Sequence, residues 1–160
     1  MTTTDVSTLR RIVADIPDPE IPVLTIEDLG VLRDVRIDDH GNVEVTITPT
    51  YSGCPALDVI ASDIRKRLAD NGLNALVRTV LSPPWTTDWM SEAGRHKLTA
   101  YGIAPPGPRI DGVVNVEIGV CCPQCGSLDT RQVSRFGSTG CQAHWVCRAC
   151  AEPFNEFKPH

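Results

Sequence analysis

The sequence predicts a mixed α/β fold, namely a small α-β-β-α-β-α sandwich followed by a zinc-ribbon module. Apolar residues with helical and strand periodicity alternate in that order along the first hundred residues. Six of the seven cysteines lie between Cys121 and Cys150. The stiff segment Pro105-Pro106-Gly107-Pro108 separates the two regions. We therefore predict a first domain over 1–104, a linker over 105–112 and a second domain over 113–160.

The first helix, strand and hairpin are predicted from local patterns. Apolar residues at helical steps indicate a helix that Thr4 or Asp5 caps and Pro17 ends. A strand over Leu32–Ile37 and an alternating strand over Val43–Thr48 flank a polar turn, which predicts a hairpin. The apolar residues of the helix are Val6, Leu9, Val13 and Ile16.

The rest of the first domain is predicted in the same way. A second helix begins at Pro55 and is closed by Asn71-Gly72. A third strand covers Ala75–Leu81, and a third helix covers Asp88–Tyr101. Alternating apolar residues over Val114–Val120 then predict a strand that leads into the cysteines.

Composition and charge exclude several classes of protein. The chain has 160 residues, 41% of them hydrophobic, and a net charge of −5. No apolar run reaches the ~18 residues of a membrane-spanning helix, and the first residues lack the pattern of a signal peptide. The acidic balance argues against general nucleic-acid binding, which requires clustered Lys and Arg. We therefore expect a cytoplasmic protein that binds neither membranes nor nucleic acid.

The second domain contains two Cys-x-x-Cys pairs in a C-x2-C-x21-C-x2-C pattern. Such pairs place four thiolates around one tetrahedral ion, and a closed shell of four sulfurs is typical of structural zinc. Iron in a rubredoxin-like site is the alternative, since thiolate geometry does not separate the two metals. Few apolar residues surround the pairs, so the metal is expected to stabilise the fold. The predicted ligands are Cys122, Cys125, Cys147 and Cys150.

Three further side chains near these pairs have open roles. Cys121 precedes a ligand and is interpreted as a bystander, with a spare ligand as the alternative. Cys141 and His144 give a C-x2-H-x2-C-x2-C spacing that could replace one ligand. The sequence favours a loop thiol and a surface histidine, because four better-placed thiolates already fill the shell.

Cys54 is the one cysteine of the first domain. Since Pro is favoured at the first helical position, Pro55 places Cys54 at the helix N-cap. Free amides and the helix dipole are expected there to lower the pKa of the thiol. A reactive or metal-binding thiol and a small buried hydrophobe both remain open.

Acidic and aromatic side chains mark two further loops of the first domain. The carboxylates of Asp18, Glu20 and Asp28 could act as acid and base groups or bind a hard metal. A proline-fixed loop with capping carboxylates is the favoured alternative. Trp85 and Trp89 are expected to be partly buried anchors rather than a partner surface.

Four segments of the first domain together resemble the iron–sulfur assembly domain of the SufT kind. The resemblance implies an α/β sandwich that helps to mature iron–sulfur proteins, with Cys54 as the functional thiol that binds transient iron or an iron–sulfur cluster. Asp18, Glu20 and Asp88 are the supporting residues that it suggests. The segments are Asp18-Pro19-Glu20-Ile21-Pro22, Asp28-Leu29-Gly30, Gly53-Cys54-Pro55 and Pro84-Trp85-Thr86-Thr87-Asp88-Trp89-Met90-Ser91-Glu92.

The tail resembles the end of the phenylacetate-degradation D protein family, which belongs to the phenylacetyl-CoA epoxidase (ring-1,2-oxygenase) system. This resemblance implies an accessory protein, not itself catalytic, that matures or supports the oxygenase and its iron–sulfur reductase subunit. Cys121, Gln142 and Asn155-Glu156 depart from the expected tail. The segments that carry the resemblance are Cys122-Pro123-Gln124-Cys125-Gly126-Ser127, Phe136-Gly137-Ser138-Thr139, Cys147-Arg148-Ala149-Cys150 and Glu152-Pro153-Phe154.

Two alternatives belong to other functional classes. One is a stand-alone thiol enzyme that uses Cys54, and the absence of a histidine or lysine base near it in sequence weakens this interpretation. The other is a zinc-ribbon module that binds nucleic acid or protein, and the acidic balance opposes nucleic acid. A homodimer is left open.

Overall fold

The computed structural model describes residues 5–107 and 119–160. Contacts group the chain into two compact units, one that ends at Ser91 and one that begins at Glu92. The sequence-based boundary at 104 therefore differs from the boundary between these units. The helix Glu92–Tyr101 contacts the short strand Ile103–Ala104, and that strand pairs with the last strand of the chain. The linker predicted over 105–112 and the strand predicted over 114–120 lie largely outside the described residues.

The first unit contains two helices and a three-stranded sheet of order β1-β2-β3. β1 pairs with β2 in antiparallel fashion through the predicted hairpin, and β2 pairs with β3 in parallel. A 3-10 turn follows at Thr87–Trp89. The elements are α1 (Val6–Ala14), β1 (Leu32–Ile37), β2 (Val43–Ile47), α2 (Ala56–Ala69) and β3 (Ala75–Thr79).

Both helices of the first unit pack on the sheet and on each other, which forms its core. The predicted cap of α1 is present, because the Asp5 carboxylate accepts a hydrogen bond of 2.7 Å from the Thr8 amide. The apolar stripes predicted for the two helices are buried as well. Fully buried members of this core are Leu9, Val13, Leu24, Ile26, Val45, Ile47, Ile64 and Leu68.

The helix predicted over Asp88–Tyr101 begins later than expected. The Thr86 hydroxyl accepts a hydrogen bond from the Asp88 amide, which starts the 3-10 turn instead of an α-helix. Met90 then has extended backbone, with φ −70° and ψ 133°. The α-helix therefore starts only at Glu92. The third strand likewise ends at Thr79 rather than at Leu81.

The second unit contains α3 (Glu92–Tyr101) and a four-stranded sheet of order β4-β7-β6-β5. β4 pairs with β7 in parallel, and the other two pairings are antiparallel. Its small core joins two cysteines to Ala104 and Phe154, with Val120 and Trp145 packed against them. Among the described helices, none has the length and apolarity that crossing a membrane requires. The strands are β4 (Ile103–Ala104), β5 (Thr130–Ser134), β6 (Gln142–Cys147) and β7 (Pro153–Phe157).

Candidate metal centre and thiol site

The four cysteines of the two Cys-x-x-Cys pairs converge on one point of the second unit. Their sulfur atoms all lie within 4.8 Å of one another. The Cys122 and Cys150 sulfurs are 3.8 Å apart, and the Cys125 and Cys147 sulfurs are 3.6 Å apart. A tetrahedral zinc with Zn–S bonds of ~2.3 Å has S···S edges of about 3.8 Å. The donor set and its spacing therefore fit a structural metal such as zinc.

Each pair is held by the same backbone pattern, which makes the two loops equivalent. The Cys122 amide donates to the Ser127 carbonyl at 2.9 Å, and the Cys147 amide donates to the Glu152 carbonyl at 2.9 Å. The residue after the second cysteine has left-handed backbone in both loops, with φ 76° at Gly126 and φ 63° at Ala151. Such a turn lets the chain fold back under the sulfurs, at a steric cost that only glycine avoids.

Amide donors and neighbouring thiols set the ionisation of this cluster. The Cys150 amide donates to the Cys147 sulfur and lowers the pKa of that thiol to about 7. The Ser127 and Glu152 amides have the same effect on Cys125 and Cys150, yet loss of solvent and the adjacent thiols leave both pKa values raised. Four thiolates at this distance repel one another, so a bound cation is needed for all of them to be charged.

The three side chains with open roles lie outside the cluster. Cys121 is exposed, and its sulfur is 3.4 Å from the Gly126 carbonyl oxygen. Cys141 is buried beside the Thr139 hydroxyl, at 3.1 Å. The His144 ring contacts the Asn155 side chain at 3.2 Å. The alternative in which Cys141 or His144 replaces a ligand has no support in these contacts.

Cys54 lies just before α2, one residue further from the helix than the sequence predicts, because Pro55 is the N-cap and the helix begins at Ala56. Pro55 already has helical backbone, with φ −68° and ψ −19°, and the Ala56 amide hydrogen-bonds to the Cys54 sulfur. The thiol is half-buried. A cysteine at this position presents its sulfur near the amide end of the helix.

The surroundings of Cys54 contradict the expected lowering of its pKa. Burial disfavours the thiolate and raises the pKa of Cys54, and this effect exceeds the hydrogen bond from Ala56. The carboxylates of Glu20 and Asp18 raise the pKa further by repulsion. The expectation overlooked these carboxylates, because they lie more than thirty residues away in sequence. Cys54 is therefore a largely protonated thiol in a negative environment.

Asp18 combines a structural and an electrostatic role. Its carboxylate is buried and accepts hydrogen bonds from the Glu20 and Ile21 amides, at 2.9 and 2.8 Å. Burial nevertheless raises its pKa, in spite of these two donors. The capping interpretation of the acidic loop is therefore correct for Asp18. Together with Glu20, Asp18 also contributes charge beside the thiol.

Sequence reasoning overlooked Tyr51, the third polar residue at this site. Its hydroxyl donates to a Glu20 carboxylate oxygen at 3.4 Å and also hydrogen-bonds to the Cys54 thiol. The Cys54 amide donates to the Tyr51 carbonyl at 3.3 Å, so one turn holds both residues. The three-residue spacing was visible in the sequence, but the contact with Glu20 depends on the fold.

The segments around Asp28 and Trp85, which also carry the family resemblance, are joined to each other by hydrogen bonds. The Ser91 amide donates to the Asp28 carbonyl at 2.8 Å, and the Trp85 indole donates to the Leu29 carbonyl at 2.8 Å. Trp85 is buried and Trp89 is partly buried, with the Arg33 guanidinium 3.5 Å from the Trp89 ring centre. Both tryptophans are anchors, as predicted. Asp88 is exposed on the 3-10 turn, and Glu20 and Asp18 are the carboxylates that act on Cys54.

Comparison with known protein families agrees with this two-part organisation. Residues 109–158 match the PaaD zinc beta ribbon domain, and residues 7–77 match the iron-sulfur cluster assembly protein family. The structure of the domain of unknown function DUF59 from Bacillus anthracis superimposes with a TM-score of 0.54 and 32% identity, over 58% of this chain and 90% of that one. The class of protein is therefore an iron–sulfur assembly domain joined to a zinc ribbon.

Two relatives make this class more specific. The D subunit of the "Putative 1,2-phenylacetyl-CoA epoxidase" of Escherichia coli (strain K12) is 45% identical over 148 residues, which are 92% of this chain and 88% of that protein. The "Fe-S protein maturation auxiliary factor YitW" of Bacillus subtilis (strain 168) is 39% identical over 90 residues, 55% of this chain and 84% of that protein. The chain therefore belongs to the same family as this Escherichia coli D subunit.

Proposed function

We propose that this protein is an accessory factor of the phenylacetyl-CoA epoxidase, the multicomponent oxygenase of aerobic phenylacetate catabolism. In this role it matures or supports the oxygenase and iron–sulfur reductase subunits and is not itself the catalyst. The observation that carries the proposal is the 45% identity to the Escherichia coli epoxidase protein along 92% of the chain. The match of residues 7–77 to iron–sulfur cluster assembly proteins supports a maturation role.

In this proposal the two cysteine sites have separate tasks. Cys54 binds iron or an iron–sulfur cluster transiently, and the Glu20 and Asp18 carboxylates provide the negative environment that a cationic cargo requires. Only the family resemblance supports a role for Asp88 at the thiol site. A zinc ion on Cys122, Cys125, Cys147 and Cys150 holds the ribbon together, by neutralising thiolates whose loops form part of a small core. Both tasks are those of a cytoplasmic protein.

The environment of Cys54 favours a carrier over a stand-alone thiol enzyme. A nucleophilic thiol usually has a lowered pKa, from a positive neighbour or a paired base. Burial and two carboxylates raise the pKa of Cys54 instead. A metal ion that arrives with its own positive charge displaces the proton and forms the thiolate only when it binds.

Replacement of Cys54 by Ser tests the proposal in a strain that carries only the variant and grows on phenylacetate as sole carbon source. We expect growth to fail and the reductase to be purified with little iron, because serine is a poor ligand for soft metals. Cys121→Ser is the matched control, since that exposed cysteine lies outside both sites. Normal growth with a fully loaded reductase would contradict the proposal. Lost growth with a loaded reductase would place Cys54 in the oxygenase complex instead.

A further inference from the structure

Tyr51 connects the two chemical groups of the thiol site. Its hydroxyl lies 3.4 Å from a Glu20 carboxylate oxygen and hydrogen-bonds to the Cys54 thiol, while its carbonyl accepts the Cys54 amide. The side chain is only partly exposed. One residue therefore joins the turn that holds Cys54 to a carboxylate 31 residues away in sequence.

We propose that Tyr51 is a positioning residue that holds the Glu20 carboxylate beside Cys54, so that the thiol accepts cationic ligands and disfavours anionic ones. This inference rests on the proposed function of Cys54 and defines the chemical class of its ligand. Thiophilic cations fit the site, whereas an anionic partner such as a coenzyme A thioester is repelled.

The two carboxylates differ in how firmly they are held. Asp18 is fixed by two backbone amides and is buried. Glu20 is only partly buried, and a solvent-accessible glutamate samples several rotamers unless a partner restrains it. The Tyr51 hydroxyl, 3.4 Å from a Glu20 carboxylate oxygen, contributes to that restraint. A fixed carboxylate near the sulfur in a partly solvated site raises the local concentration of a monovalent cation by roughly threefold and lowers that of a monovalent anion by the same factor, so their ratio changes by roughly tenfold.

The test measures the charge preference of Cys54 in the full-length, zinc-loaded protein. Two methanethiosulfonate reagents are used, one with a trimethylammonium group and one with a sulfonate group. In both cases the Cys54 thiolate forms a mixed disulfide and expels methanesulfinate. Mass spectrometry of the Cys54 peptide gives each rate separately from those of the other cysteines. The ratio of the two rates, normalised to the ratio for 2-mercaptoethanol, does not depend on the fraction of thiolate.

The variants are Tyr51→Phe, Glu20→Gln and the control Ser52→Ala, which alters an exposed residue of the same turn. We expect the normalised ratio to favour the cation by about tenfold in the native protein and to decrease towards unity in 1 M salt. Glu20→Gln lowers the ratio several-fold, and Tyr51→Phe lowers it by at least about threefold, because the carboxylate loses its hydrogen bond to the phenol. Ser52→Ala leaves the ratio unchanged.

Two results would overturn the inference. One is a native ratio near unity. The other is a Tyr51→Phe ratio equal to the native one, and if both rates increase equally in that variant, the thiol has simply become more exposed. Neither of these results affects the growth phenotype of Cys54→Ser. The converse outcome is normal growth of the Cys54→Ser strain while the native protein still shows its cation preference at Cys54. That outcome would refute the proposed function and leave the charge preference standing.

Discussion

The protein uses cysteine in two ways, and the surroundings of the sulfur atoms account for the difference. In the ribbon, four sulfurs within 4.8 Å of one another are surrounded by amide donors. In the first unit, the one sulfur of Cys54 lies beside two carboxylates and a phenol. The ribbon cysteines therefore form a four-sulfur shell that suits a structural metal, whereas Cys54 presents a single sulfur in a negative environment.

The two sites show that a hydrogen bond from a backbone amide does not by itself set the pKa of a thiol. Cys54 and Cys147 both accept hydrogen bonds from backbone amides. The pKa of Cys147 is lowered to about 7, but burial and the carboxylates raise the pKa of Cys54. Burial and carboxylates distant in sequence therefore dominate the pKa of Cys54, whereas the local amide of Cys150 dominates the pKa of Cys147.

The largest loss of stability is expected from Cys147→Ser, which removes one sulfur of the four-cysteine cluster. Structural zinc sites contribute ~10–16 kcal/mol of binding free energy, so loss of the metal is expected to unfold the ribbon. Elemental analysis and NMR dispersion of the ribbon resonances provide the measurement. Cys121→Ser is the control and should retain about one zinc per chain, as a single four-sulfur site requires. A variant at Cys147 with full zinc and a folded ribbon would show that the ligand set is wrong.

A second prediction concerns the first unit, which lacks a comparable metal shell among its described residues and relies on packing. Gly30 has φ 70°, and an added Cβ would lie 2.5 Å from the Trp89 carbonyl oxygen. Gly30→Ala should therefore destabilise the protein by about 2–4 kcal/mol, from backbone strain and overpacking together.

Gly41→Ala is the matched control for this substitution. Gly41 has φ 82° and no atom within 4 Å of the added Cβ, so only the backbone cost of about 1 kcal/mol is expected. Urea unfolding of the two variants gives the difference. Equal losses of stability would mean that the turn around Trp89 shifts to accommodate the methyl group.

A third prediction compares the two metal loops with each other. Ala151 has the left-handed backbone that Gly126 provides without strain in the other loop. Ala151→Gly should therefore stabilise the ribbon by about 0.5–1 kcal/mol, and Gly126→Ala should destabilise it by a similar amount. Denaturation at a fixed zinc concentration measures both. The same sign of change in both variants would refute the equivalence of the loops.

The smallest effect is expected from Cys54→Ser on stability. Serine has nearly the same size, and its hydroxyl can accept a hydrogen bond from the Ala56 amide as the sulfur does, so the free energy of unfolding should change by less than ~1 kcal/mol. Thermal unfolding of the zinc-loaded variant provides the measurement. A loss of several kcal/mol would identify Cys54 as a packing residue, and a growth defect would then carry no information about its chemistry.

The sequence predicted those parts of the fold that leave a recognisable pattern of residue types and spacings. The hairpin over 32–47 follows from alternation around a polar turn, and the metal cluster follows from the spacing of the cysteines. The strand Ile103–Ala104 was missed, because two residues carry no periodicity and their partners lie about fifty positions later. The approach of Glu20 to Cys54 was missed for the same reason, since only the folded chain brings them together.

The parallel pairing of β4 with β7 has a consequence for the order of events during synthesis. Ile103 pairs with Asn155, so one edge of the sheet leaves the ribosome about fifty residues before its partner. Contacts that span so much sequence form late and slowly. β7 therefore completes the second unit, and among the described strands of that sheet β4 has no partner until about fifty further residues have been synthesised.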